Sequence, residues 1–204
     1  MNEILWKPKN VNKTKLKDFT DLINDKYALD IDGYQELYKW SIKKIPNFWS
    51  EILEYTEVKY SGDAGNVLSD LEMKPGLKWF PNISLNFAEN LLKHKNDELA
   101  IISKNENSDL VKITYNELYL SVAKLAYSLK KLGLKQGDRV AAVLPNSHEA
   151  VIAMLATTSI GAIWSSCSPD FGIASVTDRF KQIEPKFIFS INAYYYNGKS
   201  FDFH

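Results

Sequence analysis

The segment SSCSPDFG at 165–172 carries the polar side chains best suited to chemistry in this sequence. It continues from the apolar run GAIWSSC at 161–167, which indicates a buried strand. Open α/β sheets bind ligands where their parallel strands end, so this segment would place hydroxyls and a carboxylate at a ligand-binding edge. An ordinary strand-to-helix loop is the alternative interpretation.

Cys167 and His148 are the candidates for nucleophilic chemistry. A thiolate beside a general base can attack a carbonyl, and Cys167 lies between a predicted strand and a helix start, where thiol acidity can rise. A lone buried cysteine is more often a small apolar side chain, and the sequence favours that interpretation. The three histidines, His94, His148 and His204, lack the spacing of metal ligands, so we expect no bound metal.

Glycine-rich phosphate loops do not occur in the sequence. Neither G-x-x-x-x-G-K-[ST] nor G-x-G-x-x-G is present among the nine glycines. Gly133 and Gly137 flank LKQ in a pattern that indicates a turn between a helix and a strand. Triphosphate binding by this chain alone is therefore not expected.

Composition excludes several other functions. The 204 residues carry 25 basic and 25 acidic side chains, which leaves no basic surface for nucleic acid or an anionic membrane. One cysteine excludes an internal disulfide, and the first residues are too polar for a secretory signal. No apolar run reaches the roughly 18 residues of a membrane helix. The sequence predicts a soluble cytoplasmic protein without a membrane or nucleic-acid partner.

Arginine occurs only twice, and Arg179 lies in the helix predicted after 165–172. Its planar fork makes bidentate contacts that lysine cannot make. Its candidate partners are Asp170, Asp178 and Glu184. We expect a structural role in which Arg179 holds the loop against the helix.

The first half of the chain is predicted to consist of helices joined by loops. YQELYKWSIKK at 34–44 is amphipathic, and Pro46 suits the first turn of the next helix, NFWSEILEYTE. Glycine and proline at 60–83 indicate a long loop, after which Ser84 would cap the helix LNFAENLLKH.

From about residue 96 the pattern changes to alternating strands and helices. Thr114 and Glu117 have capping-box spacing. The predicted order is strands at 98–103 and 110–115, a helix up to Gly133, then strands at 137–145, 161–167 and 186–191 separated by helices at 147–160 (capped by Asn146) and 174–183. Short strand–helix–strand connections are typical of a doubly wound parallel α/β sheet. We therefore expect a helical region at 1–95 and the first part of such a sheet, truncated, at 96–204.

The last 13 residues, NAYYYNGKSFDFH, hold five aromatic side chains and no helical pattern. A sheet of three parallel strands would be small and open at its edges. We expect the chain to stop part-way through a larger fold. The alternative is a loop that packs on the domain.

Several stretches, in their order and spacing, resemble acyl-adenylate-forming enzymes. LPNSHEAVIAMLATTSIGAIWSSCSPDFG and VTDRFKQIEPK, with ITYNEL at 113–118 and GDRVAAVLPN at 137–146, look like that superfamily's opening α/β unit. WFPNISLNFAENLL at 79–92 is similar to the amino-terminal region of the acetyl-CoA synthetase branch. SSCSPDFG, DRFKQIEPK and ILWKP most closely resemble the members of that branch that activate acetoacetate.

The resemblance implies part of an ATP-dependent acid–thiol ligase. In such enzymes the substrate carboxylate, here acetoacetate, attacks the α-phosphate of Mg-ATP, and coenzyme A then displaces AMP from the acyl-adenylate. The family's phosphate loop, adenine- and ribose-binding set and catalytic lysine do not occur in this sequence. The chain is therefore expected to be an inactive amino-terminal portion without catalytic residues, with the remainder of its own polypeptide as partner.

The resemblance also implies two segments that contact the nucleotide end of coenzyme A. They are Ser168, Pro169 and Asp170 after the second parallel strand, and Tyr196, Asn197, Gly198 and Lys199 in a turn after the third. The branch has arginines where this chain has Tyr196 and Lys199, so one charge is missing. Lys199 still offers a point charge to the 3′-phosphate, and Tyr196 can stack on adenine.

Three other interpretations stay open. The parent could be an acetyl- or propionyl-CoA synthetase, because the acyl pocket is not in this sequence. The chain could be a non-catalytic α/β binding module. It could also be a Cys–His hydrolase built on Cys167.

Overall fold

The computed structural model describes residues 6–70 and 75–202 and divides into two compact units, one ending at Ser84 and the other beginning at Leu85. His204 and the first two residues of ILWKP lie outside the described residues.

The first unit is built mainly from helices. Its elements are a short 3-10 turn at Val11–Lys13, helices α1 (Lys15–Tyr27), α2 (Tyr34–Lys43) and α3 (Ile45–Tyr55), and strands β1 (Ser61–Gly62) and β2 (Ile83–Ser84). The helices predicted at 34–44 and after Pro46 are confirmed. Helix α1 was not predicted, although Thr14 caps it by accepting the Lys17 N–H.

Phe19 and Ile23 of α1 are buried in the core of this unit. A buried carboxylate joins α1 to α3: Glu51 is only 3% exposed. One of its oxygens accepts from the Lys26 ammonium at 2.9 Å and the other from the Tyr27 hydroxyl at 2.7 Å. Both oxygens therefore have partners, which offsets the cost of removing the charge from water.

The long loop predicted at 60–83 is closed by two short pairings. Strands β1 and β2 pair antiparallel, and Leu68 forms a single bridge with Trp79. The Trp79 ring packs edge-on against Trp49 of α3, with 5.3 Å between centroids. Backbone pairing between β1 and β2 thus joins the two ends of the loop. The contact between Trp79 and Trp49 attaches the loop to α3.

The second unit contains alternating strands and helices. Its elements are α4 (Phe87–Leu91), β3 (Leu99–Ser103), β4 (Val111–Thr114), α5 (Tyr115–Lys131), β5 (Arg139–Val143), α6 (His148–Ser159), β6 (Ile163–Cys167), α7 (Ile173–Ile183), β7 (Phe187–Ser190), β8 (Ala193–Tyr196) and β9 (Lys199–Asp202). The predicted capping box of α5 is confirmed, with the Glu117 N–H donating to the Thr114 hydroxyl at 3.2 Å and the Thr114 N–H donating to the Glu117 carboxylate at 2.8 Å.

Two predicted caps are wrong by one or two residues. Asn86, not Ser84, caps α4 by accepting the Glu89 N–H at 3.0 Å. The residue before α6 is Ser147, not Asn146. Asn146 and Ser147 are adjacent cap-forming residues, so residue type does not distinguish them, whereas Asn86 has Glu89 three residues later and Ser84 has no such partner.

Three parallel strands form the sheet in the order β6–β5–β7. Val140 in β5 pairs with Trp164 on one side and Phe187 on the other. The chain passes from β5 to β6 and then crosses back to β7 on the far side of β5, so the predicted doubly wound parallel arrangement is confirmed. Residues 140–143 are all buried, as expected of a central strand covered on both faces.

A separate antiparallel pair ends the described chain: β8 and β9 form a hairpin, where the sequence predicted no helix and a packing loop was only the alternative to truncation. Its two-residue turn has positive φ at Asn197 (51°) and Gly198 (72°), as a type I′ turn requires. Asn-Gly is the dipeptide best suited to that turn.

Asp138, in the turn before β5, holds the amino-terminal edge of the sheet. The Lys186 ammonium donates to its carboxylate at 2.8 Å and to the Gly133 carbonyl at 2.6 Å, and the Lys135 N–H donates to Asp138 at 2.7 Å. The hydrogen bond from Lys186, which has the largest effect, and the one from the Lys135 N–H lower the pKa of Asp138 from its ordinary value of 3.8. The stability they contribute is present above the unfolded pKa and is lost as pH falls through the lower folded value.

Asp138→Asn is therefore expected to lower the free energy of unfolding at pH 7, with a deficit that shrinks as pH falls below 3.8. Urea unfolding of both proteins between pH 7 and pH 2 measures this. Asp109→Asn is the control, because Asp109 is exposed and accepts no hydrogen bond among the described residues. A deficit independent of pH would contradict the assignment.

Candidate functional site

A cavity of about 490 Å³ opens where the parallel strands end. Leu144 and Pro145 after β5 and Phe189 at the end of β7 lie along it, and Leu125 and Ile152 supply an apolar wall from α5 and α6. The polar groups on its lining come from Asn105, Ser147, Glu149 and Ser190. An apolar wall with a few polar groups at a carboxyl edge is the usual composition of a small-molecule site.

The first turn of α6 brings a carboxylate to this cavity. Partial burial raises the pKa of Glu149, but hydrogen bonds from Ser147 and from its own N–H outweigh that effect and leave the pKa below its ordinary value of 4.5. The His148 Nε2 atom lies 3.2 Å from the Glu149 carboxylate. The cavity therefore carries a negative charge on its α6 side at neutral pH.

A second cavity of about 290 Å³ lies beside the first and shares Asn105, Pro145 and Ala193 with it. Its remaining lining comes from Lys104 and Glu106 in the β3–β4 loop and from Tyr194 and Tyr195 of β8. The β3–β4 loop and the hairpin thus bound one continuous concave surface.

The segment predicted from SSCSPDFG follows β6 at the same edge of the sheet. Ser168 and Asp170 are exposed and joined by a hydrogen bond from the Ser168 hydroxyl to the carboxylate, whereas Pro169 is buried. The Arg179 guanidinium lies over the Phe171 ring, 5.4 Å from its centroid. Arg179 therefore contacts the loop through an aromatic ring, and within residues 6–70 and 75–202 no ion pair joins it to Asp170, Asp178 or Glu184. Its structural role stays a prediction.

Tyr196, Asn197, Gly198 and Lys199 form the exposed tip of the hairpin. The tip is tied to the β3–β4 loop, because the N–H groups of Asn197 and Gly198 donate to the Glu106 carboxylate at 2.9 and 2.8 Å.

The two predicted coenzyme A segments follow different strands of the sheet. They follow β6 and β7, which lie on opposite sides of β5. Within residues 6–70 and 75–202, no hydrogen bond or ion pair joins 168–170 to 196–199. The structure places both at the carboxyl edge, with the end of β5 between them.

Cys167 and His148 do not form a catalytic pair. Cys167 is buried at the end of β6. In the described part of the chain no hydrogen bond connects its sulfur to His148, whose Nε2 faces Glu149. The geometry gives no support to a Cys–His hydrolase.

The described residues contain neither a metal-binding cluster nor a membrane-spanning helix. No group of three or more His, Cys, Asp and Glu side chains is arranged to hold a metal ion. No helix in the same residues is long and apolar enough to span a membrane.

Glu106 and Glu149 are the site residues that sequence reasoning missed. Glu106 lies in the polar run KNENSD with no sign of a distant partner, and the Asn-Gly dipeptide at 197–198 indicates a turn without indicating what that turn faces. The cap spacing before α6 did mark Glu149, but as a helix-capping residue and not as part of a cavity.

Comparison with known proteins decides the family. A family model described as "AMP-binding enzyme" matches residues 87–200, more than half of the chain. The chain belongs to the AMP-binding enzyme family. A second model, "Acetyl-coenzyme A synthetase N-terminus", matches residues 34–91, so the predicted resemblance to that branch is confirmed. The two matches meet near the division between the compact units, and the boundary predicted between 95 and 96 stays a prediction.

Relatives of this AMP-binding enzyme chain include acetoacetyl-CoA synthetases. That of Danio rerio is 42% identical over 98% of the chain, and that of Rhizobium meliloti is 38% identical over 97%. A malonamoyl-CoA synthetase of Penicillium aethiopicum is 37% identical over 97% of the chain. The chain spans about 30% of the length of these relatives.

A solved structure of similar form is the acetoacetyl-CoA synthetase from Streptomyces lividans. The TM-score is 0.91 with 37% sequence identity, and the match covers 98% of this chain and 32% of that one. The helical unit and the incomplete parallel sheet therefore both have counterparts in an AMP-binding enzyme.

Proposed function

We propose that this chain is the amino-terminal portion of an AMP-forming acid–thiol ligase that converts acetoacetate, ATP and coenzyme A to acetoacetyl-CoA, AMP and pyrophosphate. The observation that carries the proposal is the match along nearly the whole chain to acetoacetyl-CoA synthetases, at 42% identity to that of Danio rerio. This chain's single cysteine fits the reducing, cytoplasmic setting that we propose for the enzyme.

The proposed chemistry has two steps. The acid's carboxylate attacks the α-phosphate of ATP to give the acyl-adenylate and pyrophosphate, and the coenzyme A thiol then displaces AMP. Mg²⁺ would accompany ATP as its counter-ion. We assign neither ATP nor Mg²⁺ to residues of this chain, because the sequence has no phosphate loop and the described residues hold no carboxylate cluster for a cation.

The contribution proposed for this chain is a surface for coenzyme A at the carboxyl edge of its sheet. Ser168, Asp170, Tyr196 and Lys199 are exposed there, and Tyr196 at 59% exposure can stack on adenine. Asn197 and Gly198 shape the turn between Tyr196 and Lys199. Pro169 is buried, so its proposed part is to fix the loop that carries Ser168 and Asp170.

The test is substrate-dependent pyrophosphate release by the full-length protein. Acetoacetate should outcompete acetate and propionate, and the 204-residue chain alone should release none. Malonamate is the informative competitor, because a malonamoyl-CoA synthetase is 37% identical. Preference for acetate or propionate would reassign the parent to those synthetases. Pyrophosphate release by the chain alone would contradict the proposal that adenylate formation needs the full-length protein.

Lys199→Ala in the full-length protein is expected to raise the KM for coenzyme A several-fold and to leave the KM for ATP unchanged. The reason is loss of one exposed cation facing the 3′-phosphate, worth about 1 kcal/mol. Steady-state kinetics with coenzyme A and with dephospho-coenzyme A, which lacks that phosphate, measures the effect. Lys124→Ala removes an exposed lysine from α5 and serves as control. Equal losses with both thiols would show that Lys199 does not contact the 3′-phosphate.

A further inference from the structure

We propose that the Glu106 carboxylate is an internal latch: it occupies the two free amides of the hairpin turn, and a phosphate-bearing ligand binds the same amides by displacing it. The inference rests on the proposed function for the identity of the ligand, the 3′-phosphate end of coenzyme A. The latch itself rests on the contacts between the β3–β4 loop and the hairpin.

The contacts join residues far apart in the chain. The N–H of Asn197 donates to one oxygen of Glu106 at 2.9 Å, and the N–H of Gly198 donates to the other at 2.8 Å. Two adjacent N–H groups thus bind the two oxygens of one anion. This is the way that backbone turns bind phosphate and carboxylate ligands.

The two amides are available because of the turn that the sequence builds. In a two-residue hairpin, the flanking residues Tyr196 and Lys199 pair with each other across the ladder. The two central N–H groups have no partner in that ladder and have to bind a side chain, water or a ligand. Gly198 allows them to point the same way, because its φ of 72° costs a glycine nothing.

The groups around the turn suit an anion that carries more negative charge than a carboxylate. Lys199 follows the two amides directly, and Lys104 lies with Glu106 on the lining of the 290 Å³ cavity beside Tyr194 and Tyr195. Both lysines are exposed and neither forms an ion pair with Glu106 within the described residues. Two N–H donors therefore hold the carboxylate, with one lysine next to them in the chain and another on the same cavity lining. A phosphate at the turn, with more negative charge than the carboxylate, would gain more from these nearby cations.

The Glu106 carboxylate is also positioned so that it can be released from the two amides of the turn. It is exposed and lies in a loop, so its carboxylate returns to water on release and needs no other protein partner. If it stayed beside a bound phosphate, the two negative charges would repel each other. The carboxylate and the phosphate are therefore alternatives at this turn.

Glu106→Gln tests the latch, because it keeps the side-chain shape and removes the charge. The probe is adenosine 3′,5′-bisphosphate, and adenosine is the ligand without phosphate. We expect the variant to bind the bisphosphate roughly fivefold more tightly than the wild type by calorimetry, with adenosine binding unchanged. Asp109→Asn removes a charge from the same loop without touching the turn and should change affinity less than about twofold.

Weaker or unchanged bisphosphate binding by Glu106→Gln would overturn the latch and leave Glu106 as a structural tie. A second measurement uses the wild type alone. Saturating bisphosphate should move the Glu106 side-chain carboxyl NMR signal towards that of a free glutamate, while the Asn197 and Gly198 amide signals stay in the range of bound donors. An unmoved carboxyl signal would equally overturn it. These binding experiments involve no turnover, so a failed ligase assay would not be mistaken for a failed latch.

Discussion

Replacing Leu155 by alanine is expected to lower the free energy of unfolding of the second unit by about 3 kcal/mol. Leu155 lies on α6, is 2% exposed, and packs in the cluster that contains Val140 of the central strand and Val122 of α5. Truncation removes three buried carbon atoms and leaves a void between two helices and the sheet, which the rigid β5 strand cannot close.

Trp164 reports on this unit, since the other four tryptophans belong to the first. Urea unfolding followed by its fluorescence, with hydrogen exchange resolved by peptide, gives the change in stability. Leu132→Ala provides the comparison, because Leu132 is 67% exposed just after α5 and its truncation should cost within about 0.5 kcal/mol. Similar losses in both variants would show that α6 is not packed as described.

The elements of the sheet were predictable because their signals are local. Residues 140–143 form an uninterrupted apolar run. The capping-box pair Thr114 and Glu117, which spans four consecutive residues, marks the start of α5. Patterns of this kind depend on neighbours along the chain and need no knowledge of the tertiary fold.

The start of α4 was predicted two residues too early, although the local sequence contains the better cap. Asn86 has Glu89 three residues later, the spacing of a helix start, whereas Ser84 has Phe87 at that position. In the structure the Asn86 side chain accepts the Glu89 N–H, and it also donates to the Thr158 carbonyl at 2.8 Å, a contact across 72 residues. Only the second contact lies beyond the reach of the sequence window around α4.

The hairpin was missed for a different reason. Asn-Gly between β8 and β9 is a strong local turn signal, but the run of three tyrosines before it shows no alternation of apolar and polar residues. The exposure of Tyr195 and Tyr196 accounts for this, because a strand without a buried face needs no alternation. Its tie to Glu106 spans 91 residues and lies beyond any local pattern.

The second large effect is expected at Gly62, where β1 meets β2 in the first unit. Its φ is +104°, which L side chains rarely adopt, and a Cβ atom there would lie 2.2 Å from the Asn82 carbonyl oxygen. That oxygen belongs to the backbone and accepts the Asp63 N–H at 3.2 Å, so it cannot move aside without breaking the mouth of the loop. Backbone strain and the clash together predict that Gly62→Ala costs about 4 kcal/mol.

Gly33→Ala separates the two contributions. Gly33 also has positive φ, +83°, but a Cβ atom there meets nothing within 4 Å. Its substitution should cost only the strain, about 1–2 kcal/mol. The pairing of β1 with β2 closes the loop that carries Trp79, whose ring contacts Trp49. Gly62→Ala should therefore also weaken the near-ultraviolet circular dichroism signal of these two tryptophans. Gly33→Ala should leave that signal unchanged. Equal destabilisation by the two substitutions, with that signal intact in both, would show that the Asn82 carbonyl does not close against Gly62.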